Sequence, residues 1–253
     1  MNILHTLNNN LLRQTFGNSD PAAKLSNFQL IAQVYAQVEN SISVLSDLKA
    51  NKSYIYTGGA ASALGIVHKE DSTEITSIWE EDILKKIRQT DLLGKYALEL
   101  RFFHLLKSLP VAERLDYQVI STLHMQDKHK KYVPVQHRMF YIQSTEDGSI
   151  WLALCLYNFS PDTHSTGTYQ GSIINTRTGK VISPDEYRLN NILTEREKDV
   201  LLLIKNGKRS KDIAASLSIS VNTVHRHRQN ILEKLHVSNS MEACRMAESI
   251  KLI

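Results

Sequence analysis

The chain has 253 residues, room for two domains, and its 42% hydrophobic and 22% charged content with a formal net charge of +4 marks no unusual class. No run approaches the roughly 20 apolar residues of a membrane span, and the start MNILHTLNNN lacks the basic and apolar segments of a signal peptide, so no membrane partner and a cytoplasmic location are expected. Cys155 and Cys244 show no CxxC or Cys/His ligand spacing, which argues against a disulfide or zinc site and leaves two buried thiols.

In chain order, the first fifteen residues say little. Asp20-Pro21 then reads as a cap followed by a first-turn proline, and Phe28, Ile31, Tyr35, Val38 and Ile42 recur at spacings of three and four. This predicts an amphipathic helix whose stripe either seals the next domain or pairs two subunits. From about Val44 the period changes, and VLSDLKANKSYIYTGG predicts a hairpin around Ala50-Asn51-Lys52. Helical stretches follow in AASALGI, SIWEEDILKKI and TDLLGKYALELRFFHLLKSL, the last with Leu92, Tyr96, Leu100 and Phe103 on one face. Three strands come next: DYQVISTLHMQ, YVPVQHRMFYIQ before the turn Glu146-Asp147-Gly148, and SIWLALCLYNFS. A final hairpin turning at Thr178-Gly179-Lys180 and a linker from Ser183 to Asn191 complete this part.

Two strands, short helices and three strands, over about residues 42 to 160, resemble the PAS superfamily of sensor domains in length and order. The resemblance implies a five-stranded antiparallel sheet that holds a small molecule or pairs with another protein; fold alone names no ligand, and no cofactor is assigned. Cys155 lies in an apolar strand, unlike the helix-borne cysteine of light-sensing flavin members. His104, His124, His129 and His137 are formal candidates for a haem ligand, but a lone histidine is more often a surface or hydrogen-bonded residue. Nine of the ten tyrosines fall between Tyr54 and Tyr187; they can line a pocket or simply sit in half-buried strands. The acidic cluster, acceptor Asp and later Lys of a phosphorylation receiver are not found in residues 1 to 180.

The stretch Leu193 to Val237 carries the strongest signal. Thr194 with Glu197 three residues later forms a capping box that starts a helix, Val200, Leu201, Leu203 and Ile204 give it a buried stripe, and Gly207 stops it. Ser210 is read as the cap of a short second helix with Ile213, Ala214 and Leu217 inward; Ser218 to Ser220 is the turn. Ser220 caps a third helix, Val221 to Leu235, with Val224, Ile231 and Leu235 on its buried side. At about 100° per residue, Asn222, Arg226, Gln229 and Glu233 face the other way, flanked by His225 and Asn230. Arg and Gln can make paired hydrogen bonds to guanine or adenine edges in a major groove wide enough for one helix.

Charge agrees. Residues 190 to 253 hold eleven Lys and Arg against seven Asp and Glu, so the whole formal excess lies here. Lys205, Lys208, Arg209 and Lys211 cluster at the junction of the first two helices, where phosphate contacts set register. Each charge alone reads as a solvated surface; turn, caps and polar face together point to double-stranded DNA.

Leu193-Thr194-x-Arg196-Glu197, Ile213-Ala214 and Ile219-Ser220-x-x-Thr223-Val224-x-x-His227-x-x-Asn230-Ile231-x-x-Lys234-Leu235-x-Val237, then Glu242-Ala243, resemble the LuxR-type helix-turn-helix family, also called the NarL/FixJ output domain. The resemblance implies a four-helix DNA-binding domain with His225, Arg226 and Gln229 at base-facing positions and Thr223, His227, Asn230 and Lys234 at supporting or backbone-touching ones. Ser240 stands where many members have Arg or Lys. The fourth helix, Met241 to Ile250, has a wide apolar arc; in the family it pairs two copies, which places Met241, Cys244 and Ala247 at a homodimer interface. The expected organisation is α+β: a helical extension at 1–41, a PAS-like sensor domain at 42–182, a linker at 183–191 and an all-α helix-turn-helix domain at 192–253. The function expected is a DNA-binding transcription regulator; the other class is an adaptor whose PAS-like domain binds a partner protein and no small ligand. A hydrolase fits worst, since no GxSxG or HExxH signature occurs.

Overall fold

The computed structural model describes residues 3–17, 22–66, 72–160, 169–182, 193–235, 237, 239–249 and 252–253. The Asp20-Pro21 cap and the Ser183 to Asn191 linker lie outside the described residues. By its internal contacts the chain divides into two compact units, residues 9–183 and residues 184–253 grouped with 1–8.

The longer unit is built on one antiparallel sheet. Strand β1 (Ile42–Asp47) turns into β2 (Lys52–Thr57) through Asn51, whose φ of 52° is the left-handed conformation that Asn tolerates. Strands β4 (Tyr117–Gln126), β5 (Tyr132–Ser144) and β6 (Ile150–Phe159) form a meander, with Gly148 at φ 80° in the second turn. Strand β1 then pairs with β6, Val44 opposite Cys155, which closes the five expected strands into one sheet. The sheet among the described residues nevertheless has eight strands, because β3 (Ser72–Ile75), β7 (Gln170–Asn175) and β8 (Val181–Ile182) join it in the order β3-β2-β1-β6-β5-β4-β7-β8, a correction to the five expected. The added β3 (Ser72–Ile75) extends the β2 edge. It was missed because Ser-Thr-Glu-Ile is too short and polar to show a buried period, as suits an edge strand, where Lys52 pairs with Glu74 at 2.6 Å. The expected final hairpin is β7 (Gln170–Asn175) and β8 (Val181–Ile182), with Gly179 at φ 73°.

Helices α1 (Ile3–Leu12) and α2 (Ala22–Val38) precede the sheet. Ala32 and Ala36 of α2, with Leu25 and Phe28, pack on Leu45, Tyr56, Leu152, Leu154 and Leu156. The small alanines bring the helix close: a Cβ on Gly58 would lie 2.3 Å from the Ala36 carbonyl. The stripe read from the sequence therefore points mostly outward, with Ile31, Tyr35 and Val38 exposed and Leu30 and Val34 beside them, while Ile42 belongs to β1. Helices α3 (Gly59–Ala63), α4 (Glu81–Leu84) and α5 (Gln89–Ser108) come next. Side chains alternate across a strand, so Met139, Tyr141, Ala153 and Cys155, which share a cavity with Lys95 and Glu99 of α5, lie on the sheet face opposite α2. With both faces covered, β6 is buried from Ile150 to Tyr157, which explains its unbroken apolar run.

Helix α5 departs from the one-faced pattern expected. Residues are buried on nearly every side of it, and Asp91, Lys95 and Glu99 are among them. Tyr169, just before β7, packs against it closely enough that a Cβ on Gly94 would lie 2.3 Å from the ring.

The shorter unit holds helices α6 (Glu195–Lys205), α7 (Ser210–Leu217), α8 (Val221–Leu235) and α9 (Ser240–Ser249). Leu193, Val200, Leu201, Ile213, Ala214, Val224, Ile231, Leu235, Ala243 and Ala247 form its core. Among the described residues no helix is long and apolar enough to cross a membrane.

Candidate nucleic-acid interface and buried polar cavity

The α6 capping box is reciprocal. The Glu197 N–H donates to Thr194 Oγ1 at 3.2 Å and the Thr194 N–H to Glu197 Oε2 at 2.8 Å. Glu197 also accepts from Lys234 Nζ at 2.6 Å, so the same buried carboxylate ties the start of α6 to the end of α8. Burial opposes its charge, but Lys234 and the Thr194 N–H outweigh this and hold the carboxyl below the ordinary range. Lys234 thus supports the fold.

Gly207 follows α6 at φ 75°, the left-handed stop that glycine suits. The cap of α7 is Arg209 rather than the expected Ser210: the Arg209 N–H donates to Asp212 Oδ2 at 3.1 Å, and Ser210 is the first helical residue. Ser218 adopts φ 52° in the turn, and Ser220 Oγ accepts the Thr223 N–H at 3.0 Å to start α8.

Helix α8 buries Val224, Ile231 and Leu235. Asn222, His225, Arg226, Gln229 and Glu233 are exposed, while Thr223, His227, Asn230 and Lys234 are half-buried flanks. Gln229 Nε2 donates to Glu233 Oε1 at 3.0 Å, which holds the amide on the outer face. His227 Nδ1 is buried with no partner among the described residues. Lys208, Arg209 and Lys211 are exposed, whereas Lys205 pairs with Glu248 at 2.7 Å and leaves the cationic cluster.

Two residues beyond the expected set fasten this frame. Arg228 donates to Ser240 Oγ at 3.0 Å and to Ser210 Oγ at 3.4 Å, joining α8 to α9 and α7; Arg196 donates to the Leu217 carbonyl at the end of α7. Arg228 lies four residues after Val224, beside the buried stripe, which is the signal it carried in sequence. On α9, Met241 is 66% exposed, but Ala247 is fully buried and Cys244 lies against the Leu201 carbonyl. Of the three residues expected to pair two copies, Cys244 and Ala247 are taken up by the domain's own core because α9 packs on α6 and α8.

The longer unit holds a small cavity of about 30 Å³, lined by Trp79, Glu80, Lys95, Glu99, Met139, Tyr141 and Cys155 among others. Lys95 Nζ donates to Glu99 Oε1 at 2.6 Å with both side chains buried, and Glu80 accepts from Tyr157 Oη at 2.8 Å. Burial opposes the Lys95 charge, but Glu99 and Glu80 raise its pKa; burial pushes Glu99 up against the pull of Lys95. Burial likewise drives the Cys155 thiol well above, and His137 well below, their ordinary values, the second helped by Lys95. Tyr141 Oη has no partner among the described residues. Asp91, one turn before Lys95, accepts from Arg88 at 2.7 Å and from the His124 N–H at 2.7 Å, with His124 Nδ1 at 2.8 Å. His124 therefore fastens α5 to β4, His104 and His129 are exposed, and His137 is buried.

The family model described as bacterial regulatory proteins, luxR family, matches residues 191–247. The transcriptional regulatory protein DesR of Bacillus subtilis (strain 168) is 51% identical over 59 residues, 23% of this chain and 30% of that protein. UhpA of Escherichia coli (strain K12), another transcriptional regulatory protein, is 49% identical over 53 residues, 21% of this chain and 27% of that protein. The chain thus spans under a third of the length of either. A crystal structure of a phage VqmA–DPO complex aligns over 90% of this chain and 89% of its own at 15% identity, with a TM-score of 0.31, too low to assign a common fold. The family match falls on the C-terminal segment, and there the chain carries the helix-turn-helix domain of the luxR family of bacterial regulatory proteins.

Proposed function

We propose that the protein is a sequence-specific DNA-binding transcription regulator in which the sheet domain, PAS-like in its five central strands, controls a C-terminal reading head. The observation that carries this is the outer face of α8, where His225, Arg226 and Gln229 stand exposed on a helix whose opposite side is anchored by Val224, Ile231 and Leu235. In this reading those three side chains meet base edges in the major groove, and Lys208, Arg209 and Lys211 neutralise phosphates. Thr223, His227 and Asn230 flank the groove, while Lys234 holds α8 to α6. Two copies reading an inverted repeat would pair along the exposed Met241 edge of α9. In this reading the signal acts at the buried polar cavity, which at about 30 Å³ has room for an ion or a water and not for an organic ligand, and whose unpaired Tyr141 Oη calls for an explanation.

The test is selection of bound DNA from a random pool by the full-length protein, then titration of the winning sequence against salt. An enriched inverted repeat with a steep negative salt slope is expected; no enrichment from folded protein overturns the reading. A second reading, an adaptor that docks a partner protein, is favoured by the exposed Leu30, Ile31, Val34, Tyr35 and Val38 on α2. It predicts that Val34→Glu and Val38→Glu abolish regulation while leaving DNA affinity intact.

A further inference from the structure

Three donors of different chemistry meet beneath α5. A carboxylate oxygen of Glu99, a ring nitrogen of His137 and the Cys155 sulfur all lie within 4.8 Å of one another, and all three residues are buried. His137 and Cys155 come from adjacent strands: His137 stands opposite Tyr157, and Met139 opposite Cys155, so the two share one face of the sheet. Glu99 reaches that face from α5.

Two of the donors are already held from behind. Glu99 Oε1 accepts from Lys95 at 2.6 Å, and His137 Nδ1 lies 3.2 Å from Ser121 Oγ. His137 Nε2 is left without a hydrogen-bond partner among the described residues, as is Tyr141 Oη in the cavity wall. Outer partners of this kind orient a ligating carboxylate or imidazole and fix which nitrogen is free.

The donor types set the class of ion. A carboxylate, an imidazole and a thiolate suit zinc-like ions; magnesium and calcium take oxygen ligands.

We propose that Glu99, His137 and Cys155 bind a divalent transition-metal ion of the zinc type, with the fourth coordination position open to the adjoining cavity. The metal–sulfur bond forms as the Cys155 S–H bond breaks, and the proton passes to solvent. Any effect of the ion on DNA binding rests on the proposed sensing role of the cavity; its binding does not.

Cobalt(II) titrated into metal-free full-length protein tests the site. The expected result is a near-ultraviolet thiolate-to-cobalt absorption that saturates at one ion per chain and is displaced by zinc. Cys155→Ser should abolish it, His137→Gln should weaken cobalt binding by roughly tenfold or more, and Cys244→Ser should leave it unchanged. No saturable band in the wild-type protein overturns the proposal whatever the variants do, as does a band lost in Cys244→Ser and kept in Cys155→Ser. If the band appears as expected but DNA affinity is the same with and without the ion, the site stands and the sensing role of the cavity falls.

Discussion

On α8, Asn222, Arg226, Gln229 and Glu233 recur at spacings of three and four and all face solvent; on α5, Asp91, Lys95 and Glu99 recur at a spacing of four and are all buried. A polar stripe at helical period establishes that the residues share a face, and nothing more. What lies against the face decides its energetics. For α8 the rest of the small domain packs on the opposite side, so the stripe stays hydrated. For α5 the sheet and Tyr169 pack against it and the charges are buried, so they must find one another: Lys95 with Glu99, Asp91 with Arg88 and His124.

The largest expected effect follows from that difference. Lys95→Met removes the ammonium and strands Glu99 in the interior, which should destabilise the longer unit by about 3 to 5 kcal/mol, the range for breaking a buried pair from one side. Lys95→Met combined with Glu99→Met removes both charges and should recover most of the loss. Urea unfolding followed in the full-length protein measures both. A single variant as stable as wild type would mean that the stripe on α5 reaches water after all, and the contrast with α8 would fail.

Arg226→Ala asks the opposite question of α8. Fold stability should not change measurably, because the side chain is exposed, but specific DNA binding should weaken by about 1 to 3 kcal/mol with base preference relaxed at one position of each half-site. A uniform loss over all sequences would move Arg226 from base reading to phosphate contact.

The unequal legibility of the two helices has a physical cause. In α8 every cue is local: Ser220 caps it, and Val224, Ile231 and Leu235 mark its inner side within fifteen residues. Burial of α5 is decided by β4 and β7, which pack against it, and by Tyr169, so nothing in the local pattern of Leu92, Tyr96, Leu100 and Phe103 shows that Asp91, Lys95 and Glu99 are enclosed as well. Glu99, His137 and Cys155 likewise come from three elements, and no ligand spacing exists to be recognised. Within the C-terminal domain the same rule holds in miniature. The capping box of α6 was plain because Thr194 and Glu197 are three residues apart, whereas the burial of Cys244 and Ala247 depends on α9 folding back onto α6.

Thr194→Ala tests a local cue at smaller scale. Loss of the cap should lower the stability of the C-terminal unit by about 1 kcal/mol. The Glu197–Lys234 link remains and gives that unit an acid limit. Glu197 is held below its ordinary value in the folded state, so its contribution is fully present above the unfolded carboxyl value near about 4.3 and is lost as pH falls through the lower folded one. Stability measured between neutral and acid pH should fall in that window, and less steeply in Lys234→Met.

The smallest effect separates two neighbouring lysines that the sequence treats alike. Lys208 is exposed with no ion pair among the described residues, while Lys205 is paired with Glu248 at 2.7 Å. If Lys208 neutralises a phosphate, Lys208→Ala should weaken binding to all sequences similarly and lessen the slope of log affinity against log salt by about one. Lys205 must first leave Glu248 to do the same, so Lys205→Ala should change the slope by less. Equal changes from both would show that the exposed pair with Glu248 is too weak to withhold a charge from DNA, as many surface ion pairs are. The cationic cluster would then act as a whole, and its geometry in the free protein would not decide which lysines meet the backbone.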